Sequence, residues 1–319
     1  MNAGAEVTTV LAFGGNALCP NGTKGTYDEQ RAHAREMARV VASVVEAGHR
    51  AVVTHGNGPQ AGHLAIQQET AADLVVAQPL HSVVAMTQGQ LGSMVALALR
   101  EQLPVQVPVL SVATHVRVSH DDPAFHRPTK PIGPFYSEAE AQRLARERGW
   151  TVAEVEHGMY RRVVASPVPH SVVELPAIES LLAGGAVVVA AGGGGVPVVS
   201  SGDGSLEPVD AVIDKDRAAE RLGTAIGAEN LVLLTDVSEV VLDFGTPRER
   251  PIREMTLSTA MHHLLDGQFP PGSMGPKIDA AVSFLKNGGK LAVITSFRHA
   301  ISALAGRHGT RIVPDREVT

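Results

Sequence analysis

At 319 residues with 44% hydrophobic content, the chain can bury one large core or two modest ones and is too apolar for a disordered polymer. A net charge of −6 without any dense lysine or arginine run argues against a nucleic-acid partner. The single cysteine, Cys19, excludes an intramolecular disulfide and a cysteine-built zinc cluster, and with no signal-like leader and no run of about 18 apolar residues the expected setting is the cytoplasm, away from membranes.

Val7 to Phe13 reads as a first buried strand, and Gly14-Gly15-Asn16 as the turn after it. From Thr26 the spacing of Met37, Val40, Val41, Val44 and Val45 predicts a helix closed by Gly48. Arg50 to Thr54 is a second strand. It runs into Gly56-Asn57-Gly58, and Pro59 suits the first turn of the next helix. Val83 to Leu103 predicts a long buried helix in which Gly89 and Gly92 permit close packing. Val105 to Val118, rich in β-branched residues, predicts one strand that leaves the main sheet.

From Ser119 to Tyr136 the prolines are too frequent for a regular element to run through, so residues 119–164 are expected to form a small protruding subdomain. Within it, Ser137 and Glu140 open a short helix that Gly149 closes. Ala186 to Ala191 is continuously apolar and valine-rich, as in a strand buried on both faces, and Gly192 to Gly195 end it. A polar hairpin leads to Asp214-Lys215-Asp216, which opens a helix with Ala218, Ala219 and Leu222 inward and Gly223 as its stop. Leu231 to Thr235 and Glu239 to Asp243 are strands, Thr256 to Leu265 a helix, and Ser273 begins another that leads through Gly288-Gly289 to the strand Leu291 to Thr295. Strands alternate with helices throughout, which predicts an α/β fold: an open, mainly parallel sheet between helices, with ligands at the carboxyl ends of the strands.

Four glycines alone read as a flexible loop. Asp214-Lys215-Asp216 gives them a meaning, because an ammonium between two carboxylates at a helix start can organise charge around phosphates, while Asp214 also fits a helix N-cap. Three glycine loops at strand ends, with Lys130, Lys215 and Lys277, suit a phosphate held between amides and ammoniums. Known fingerprints narrow the field. No G-x-x-x-x-G-K-[ST] is present, and no G-x-S-x-G. Gly56-Asn57-Gly58 reaches its next glycine, Gly62, one residue late for G-x-G-x-x-G, which leaves a dinucleotide-binding oxidoreductase as the weaker alternative.

GGNAL at Gly14 to Leu18, THGNGPQ at Thr54 to Gln60, AMTQGQ at Ala85 to Gln90, PTKPIGPFY at Pro128 to Tyr136, AGGGGVPVV, AVIDKD and PGSMGPK together resemble the carbamate kinases, in register from about Val10 to Thr310. The resemblance implies the amino acid kinase fold as a single domain, with an N-terminal acceptor lobe, a C-terminal ATP lobe and the protruding subdomain over residues 119–164. It implies reversible phosphoryl transfer between ATP and carbamate, giving ADP and carbamoyl phosphate, often in arginine metabolism, with Mg2+ bridging the phosphates and a homodimer as the assembly. Carried over residue by residue, Gly14, Gly15 and Asn16 hold the transferring group, Gly56 and Asn57 the carbamate side, and Lys215 and Lys277 neutralise developing charge. Asp216 orients those lysines, Lys130 reaches over the acceptor and Asp214 supports. Gly194, Asp236, Val237, Met274 and Gly275 frame the nucleotide, and no protein residue ligates metal. Two departures stand out. The family's P-L-D is Pro79-Leu80-His81 here, and its P-S-P-K-P is Ala165-Ser166-Pro167-Val168-Pro169. They imply either a lost structural ion pair or an altered acceptor pocket, the latter leaving a kinase of the same superfamily for another small carboxylate, carbamate or amide.

Overall fold

The computed structural model describes residues 7–20, 22–270 and 272–315. Strand β1 (Thr8–Phe13) is buried along its length. Helix α1 (Tyr27–Glu46) opens on a reciprocal cap, in which the Thr26 hydroxyl accepts from the Glu29 N–H and the Glu29 carboxylate accepts from the Thr26 N–H. Strand β2 (Arg50–His55) comes next, then α2 (Gly58–Thr70) with Pro59 in its first turn. Helix α3 (Leu80–Gln102) is long and apolar enough by composition to cross a membrane, but more than half of that window is buried inside the protein. Gly92 explains how closely it packs: a Cβ there would lie 2.0 Å from the Ser111 Oγ.

The single strand expected over Val105 to Val118 is two, β3 (Val109–Ser111) and β4 (His115–Arg117), and they join different sheets. The corner is made at Thr114. Its N–H donates to the Gln88 side chain, and its hydroxyl accepts from the Ala191 N–H. These partners lie far away in sequence, so propensity alone gives no sign of the break.

Strand β5 (Lys130–Tyr136) crosses the proline-rich stretch, contrary to expectation, because it is an edge strand and Pro131 and Pro134 need supply no ladder donor on the open side. With α4 (Glu138–Arg148), β6 (Val152–Glu156) and β7 (Met159–Val164) it makes an antiparallel sheet in the order β5-β7-β6, around a small core of Tyr136, Ala141 and Leu144. Ser137 caps α4 and Gly149, at φ 66°, ends it.

The chain returns through β8 (Ser171–Val172) and α5 (Leu175–Ala183) to β9 (Val187–Val189), then through the hairpin of β10 (Val196–Ser200) and β11 (Leu206–Pro208) to α6 (Lys215–Ala225). Gly223 does not stop this helix. It lies inside, where a Cβ would press on Val10 and Phe284, and the left-handed glycine beyond the end is Gly227. The remainder is β12 (Asn230–Thr235), β13 (Val240–Leu242), β14 (Arg250–Ile252), β15 (Glu254–Thr256), α7 (Leu257–Leu265), α8 (Met274–Lys286), β16 (Leu291–Ser296), α9 (Ala300–Leu304) and β17 (Thr310–Val313).

The main sheet has eight strands in the order β15-β17-β16-β12-β1-β2-β9-β3, all neighbours parallel except β16 and β17. Alternate residues of each strand feed opposite faces. Val10, Val52 and Leu231 pack under α5, α6, α7 and α8, whereas Leu11, Val53 and Val232 pack under α1, α3 and α9. Strand order runs one way from β1 through β2 and the other way through β12. A crevice must therefore open at the carboxyl end of β1, at Gly14 and Gly15.

Candidate active site

The ends of β1, β2 and β9 meet at that crevice, and glycine lets them meet closely. A Cβ on Gly56 would stand 2.4 Å from the Gly15 Cα, so any side chain there would drive the β1 and β2 loops apart. His55, just before it, is buried, and burial holds its imidazole below the ordinary histidine range and neutral. Its Nδ1 lies 2.9 Å from the Gly56 carbonyl, and since a carbonyl only accepts, Nδ1 carries the proton. Asn57 donates to the Thr87 hydroxyl at 2.8 Å, and Thr87 donates in turn to the Val84 carbonyl at 2.7 Å. Gly193 passes beneath Asn57 where a Cβ would clash with the amide at 2.2 Å. Thus the three glycine loops are packed on one another and are not free.

The charged groups sit at the starts of α6 and α8. Asp214 caps α6, its Oδ1 accepting from the N–H groups of Asp216 and Arg217, while its Oδ2 accepts from Lys130 Nζ at 3.1 Å. Burial opposes ionisation of Asp214, but Lys130 and Lys215 outweigh it and hold the carboxyl below its usual range. Asp216 is buried and takes Lys277 Nζ on both oxygens, at 3.1 and 3.0 Å, with Lys215 Nζ at 3.4 Å from Oδ2. Burial pushes the Lys277 ammonium below the ordinary lysine range, and the Asp216 carboxylate resists that shift. Within this bonded group three ammoniums face two carboxylates, a local excess of one positive charge, while Asp236, Glu239 and Glu249 line the same cavity as Lys277.

Two cavities flank this group, of about 620 and 600 Å3. Gly56, Asn57, Pro59, Ile132 and Arg161 help line the first. Gly14, Asp214, Asp216, Asp236, Val237, Met274 and Lys277 help line the second, together with Phe244, Phe269 and Phe297. Gly15, Asn16, Lys130 and Lys215 line both. Two residues expected to frame a nucleotide line neither cavity. Gly194 is buried against Ile213, whose carbonyl would be 2.5 Å from a Cβ, and Gly275 donates its N–H to the Pro270 carbonyl. Both glycines serve close backbone packing.

The departures at His81 and Val168 lie outside both linings. His81 Nδ1 meets Asp210 at 2.9 Å and its N–H donates to the same carboxylate, while the Val168 N–H donates to Asp122. Sequence reasoning missed His55, the aromatic residues of the second cavity and Arg161. His55 was detectable as the residue leading into Gly56. Arg161 carried no local signal, since only the pairing of β5 with β7 brings it to the first cavity.

The profile of the amino acid kinase family matches residues 7–296. A carbamate kinase of Pyrococcus horikoshii is 43% identical over 310 residues, covering 96% of this chain and 98% of its own, and one from Halobacterium salinarum is 44% identical over 313 residues, covering 97% and 99%. A solved structure, the carbamate kinase from Giardia lamblia bound to AMP-PNP, superposes with a TM-score of 0.90 at 38% identity, covering 98% of this chain and 99% of that one. The chain belongs to the amino acid kinase family and, within it, to the carbamate kinases.

Proposed function

We infer that the protein transfers a phosphoryl group reversibly between ATP and carbamate, giving ADP and carbamoyl phosphate. The observation that carries this reading is the meeting of two cavities at Gly15, Asn16, Lys130 and Lys215, since a group passed between two bound molecules needs one place both can reach. We assign the nucleotide to the second cavity, whose aromatic walls suit a base, and carbamate to the first. The N-terminal half is then the acceptor lobe, the C-terminal half the ATP lobe and residues 119–164 a protruding subdomain.

In the forward direction a carbamate oxygen attacks the terminal phosphorus, the bond to the bridging oxygen breaks and ADP leaves with the electron pair. Carbamate is already an anion, so no base is required to remove a proton. Lys215 and Lys277 compensate charge on the transferring group and the bridging oxygen, and Lys130 covers it from the acceptor side. Asp216 repels phosphate, so it contributes only by holding Lys277 and Lys215 where they are.

Magnesium, carried in with the nucleotide, would supply charge neutralisation to the phosphates. Its entry with the nucleotide fits the donor set, because Asp214 and Asp216 are bonded to lysines and the phosphates offer the hard oxygens it prefers. A homodimer in the cytoplasm, serving arginine metabolism, is the setting the family resemblance leads us to propose. The test is ATP formation from ADP and carbamoyl phosphate with magnesium. Absence of ATP formation, with saturable NAD binding instead, would overturn the kinase reading in favour of a dinucleotide enzyme.

A further inference from the structure

Strands β5 and β7 pair at Ile132 with Arg162 and next at Tyr136 with Tyr160. Gly133, Pro134 and Phe135 therefore stand opposite Arg161 alone, a bulge of three residues against one. Bulges bend a strand and re-aim what it carries. Here the bulged residues, with Lys130, Pro131 and Ile132, form one wall of the acceptor cavity. A bulge also strips carbonyls of ladder partners. The Gly133 carbonyl is compensated by Arg161, which donates to it from Nε at 3.0 Å and from Nη2 at 2.7 Å. The same guanidinium lies over the Phe135 ring, 5.2 Å from its centre, and Gly133 adopts φ 70°, the left-handed region where glycine is favoured. One side chain thus grips both ends of the bulge.

We propose that Arg161 is a positioning residue for phosphoryl transfer: by holding the bulge at Gly133 and Phe135 it sets the cavity wall and the placement of Lys130, three residues upstream on the same strand. This rests on Lys130 covering the transferring group from the acceptor side. A lysine in place of Arg161 keeps the charge but not the two-pronged donor, so the geometry and the charge can be separated.

The experiment uses the full chain, with kcat and the KM for ADP measured during ATP formation for Arg161→Leu and Arg161→Lys, each in the native and the Lys130→Ala background. Trp150, the only tryptophan, packs against Tyr136, Arg148 and Arg162 and reports whether the subdomain keeps its fold. Both variants are expected to lose kcat by roughly 10- to 100-fold, the range for a misplaced catalytic group, with the KM for ADP and the Trp150 emission unchanged. In the Lys130→Ala background the further loss should vanish. Native kcat in Arg161→Lys would overturn the proposal, since charge alone would then suffice. A loss that persists fully without Lys130 would overturn it too, pointing to direct contact with the acceptor. If Arg161→Leu alone disturbs the Trp150 emission, Arg161→Lys decides by the same criteria, and disturbance in both makes Arg161 a folding residue only. Native turnover in Lys130→Ala itself would fault the site reading beneath the proposal, a result distinct from any failure of the Arg161 variants.

Discussion

The Lys277 side chain is 8% exposed and rests on both oxygens of Asp216, whereas the Lys130 side chain is 38% exposed and meets Asp214 through one contact of 3.1 Å. Both bring an ammonium to the same crevice. Lys277 stands at the start of a helix whose Ile278, Ala281 and Phe284 are in the main core beside Leu222 of α6. Lys130 stands at the start of an edge strand in a three-stranded sheet whose small core, made with α4, is Tyr136, Ala141 and Leu144. The difference separates two tasks that phosphoryl transfer imposes. Charge compensation is strongest from groups fixed in a low-dielectric setting before substrate arrives, while an acceptor must be let in and covered. The larger core holds the first kind of lysine, and the small sheet can carry the second.

Breaking the buried half should have the largest effect. Asp216→Asn is expected to lower kcat by roughly 100- to 1000-fold, as removal of a preorganised electrostatic group does, with ADP affinity little changed. It should also cost about 3–5 kcal/mol of stability in urea unfolding, because Lys277 loses the carboxylate that compensates its burial. A variant within tenfold of native turnover would mean that the lysines hold their places without Asp216.

Lys130→Ala probes the exposed half. Turnover should fall by roughly 10- to 100-fold with the KM for ADP little changed, if Lys130, which stands where the two cavities meet, acts on the transferring group and not on the rest of the nucleotide. Stability should move by less than about 1 kcal/mol, the range for a partly exposed ion pair. Matching losses of stability in Lys130→Ala and Asp216→Asn would erase the distinction between the two lysines.

A pH titration sharpens the comparison further. Burial lowers the Lys277 pKa while Asp216 opposes the shift, and Lys215 and Asp214 also act on it. The lysine works only when protonated, so kcat should decline as pH rises through a value below 10.5, its ordinary pKa. Stability runs the other way for this group. A base whose folded pKa lies below its unfolded pKa burdens the fold while charged, and that burden is relieved as pH rises through the folded value. Lys277→Arg should carry the alkaline limb to higher pH, and a limb that stays in place would assign it to another group.

The smallest effect belongs to His81. Its pairing with Asp210 is half-exposed and lines neither cavity, so His81→Ala should leave kcat and both KM values at native levels and cost less than about 1 kcal/mol. A changed KM for carbamoyl phosphate would instead tie this departure from the family pattern to the acceptor.

Short-range order was legible in the chain itself. The cap at Ser137, the stop at Gly149, the glycine turns and the apolar strands all depend on neighbours within one turn or one strand, where residue identity and periodicity suffice. Lys130, Lys215 and Lys277 stood out beside the glycine loops, and the resemblance of whole motifs then gave them roles. What tertiary structure alone decided involves partners remote in sequence. Val105 to Val118 breaks because its two halves find different sheets, and Gly223 sits inside a helix because Val10 and Phe284 need its space. Asp214 is both a local cap and the partner of Lys130, and only the first role can be read from its neighbours. Gly194 and Gly275, expected at the nucleotide, have backbone close against them, since a missing side chain records that something comes close without recording what. Arg161 is the strongest case: its guanidinium does the work of ladder bonds that a bulge removes, and that bulge exists only once β5 and β7 have paired.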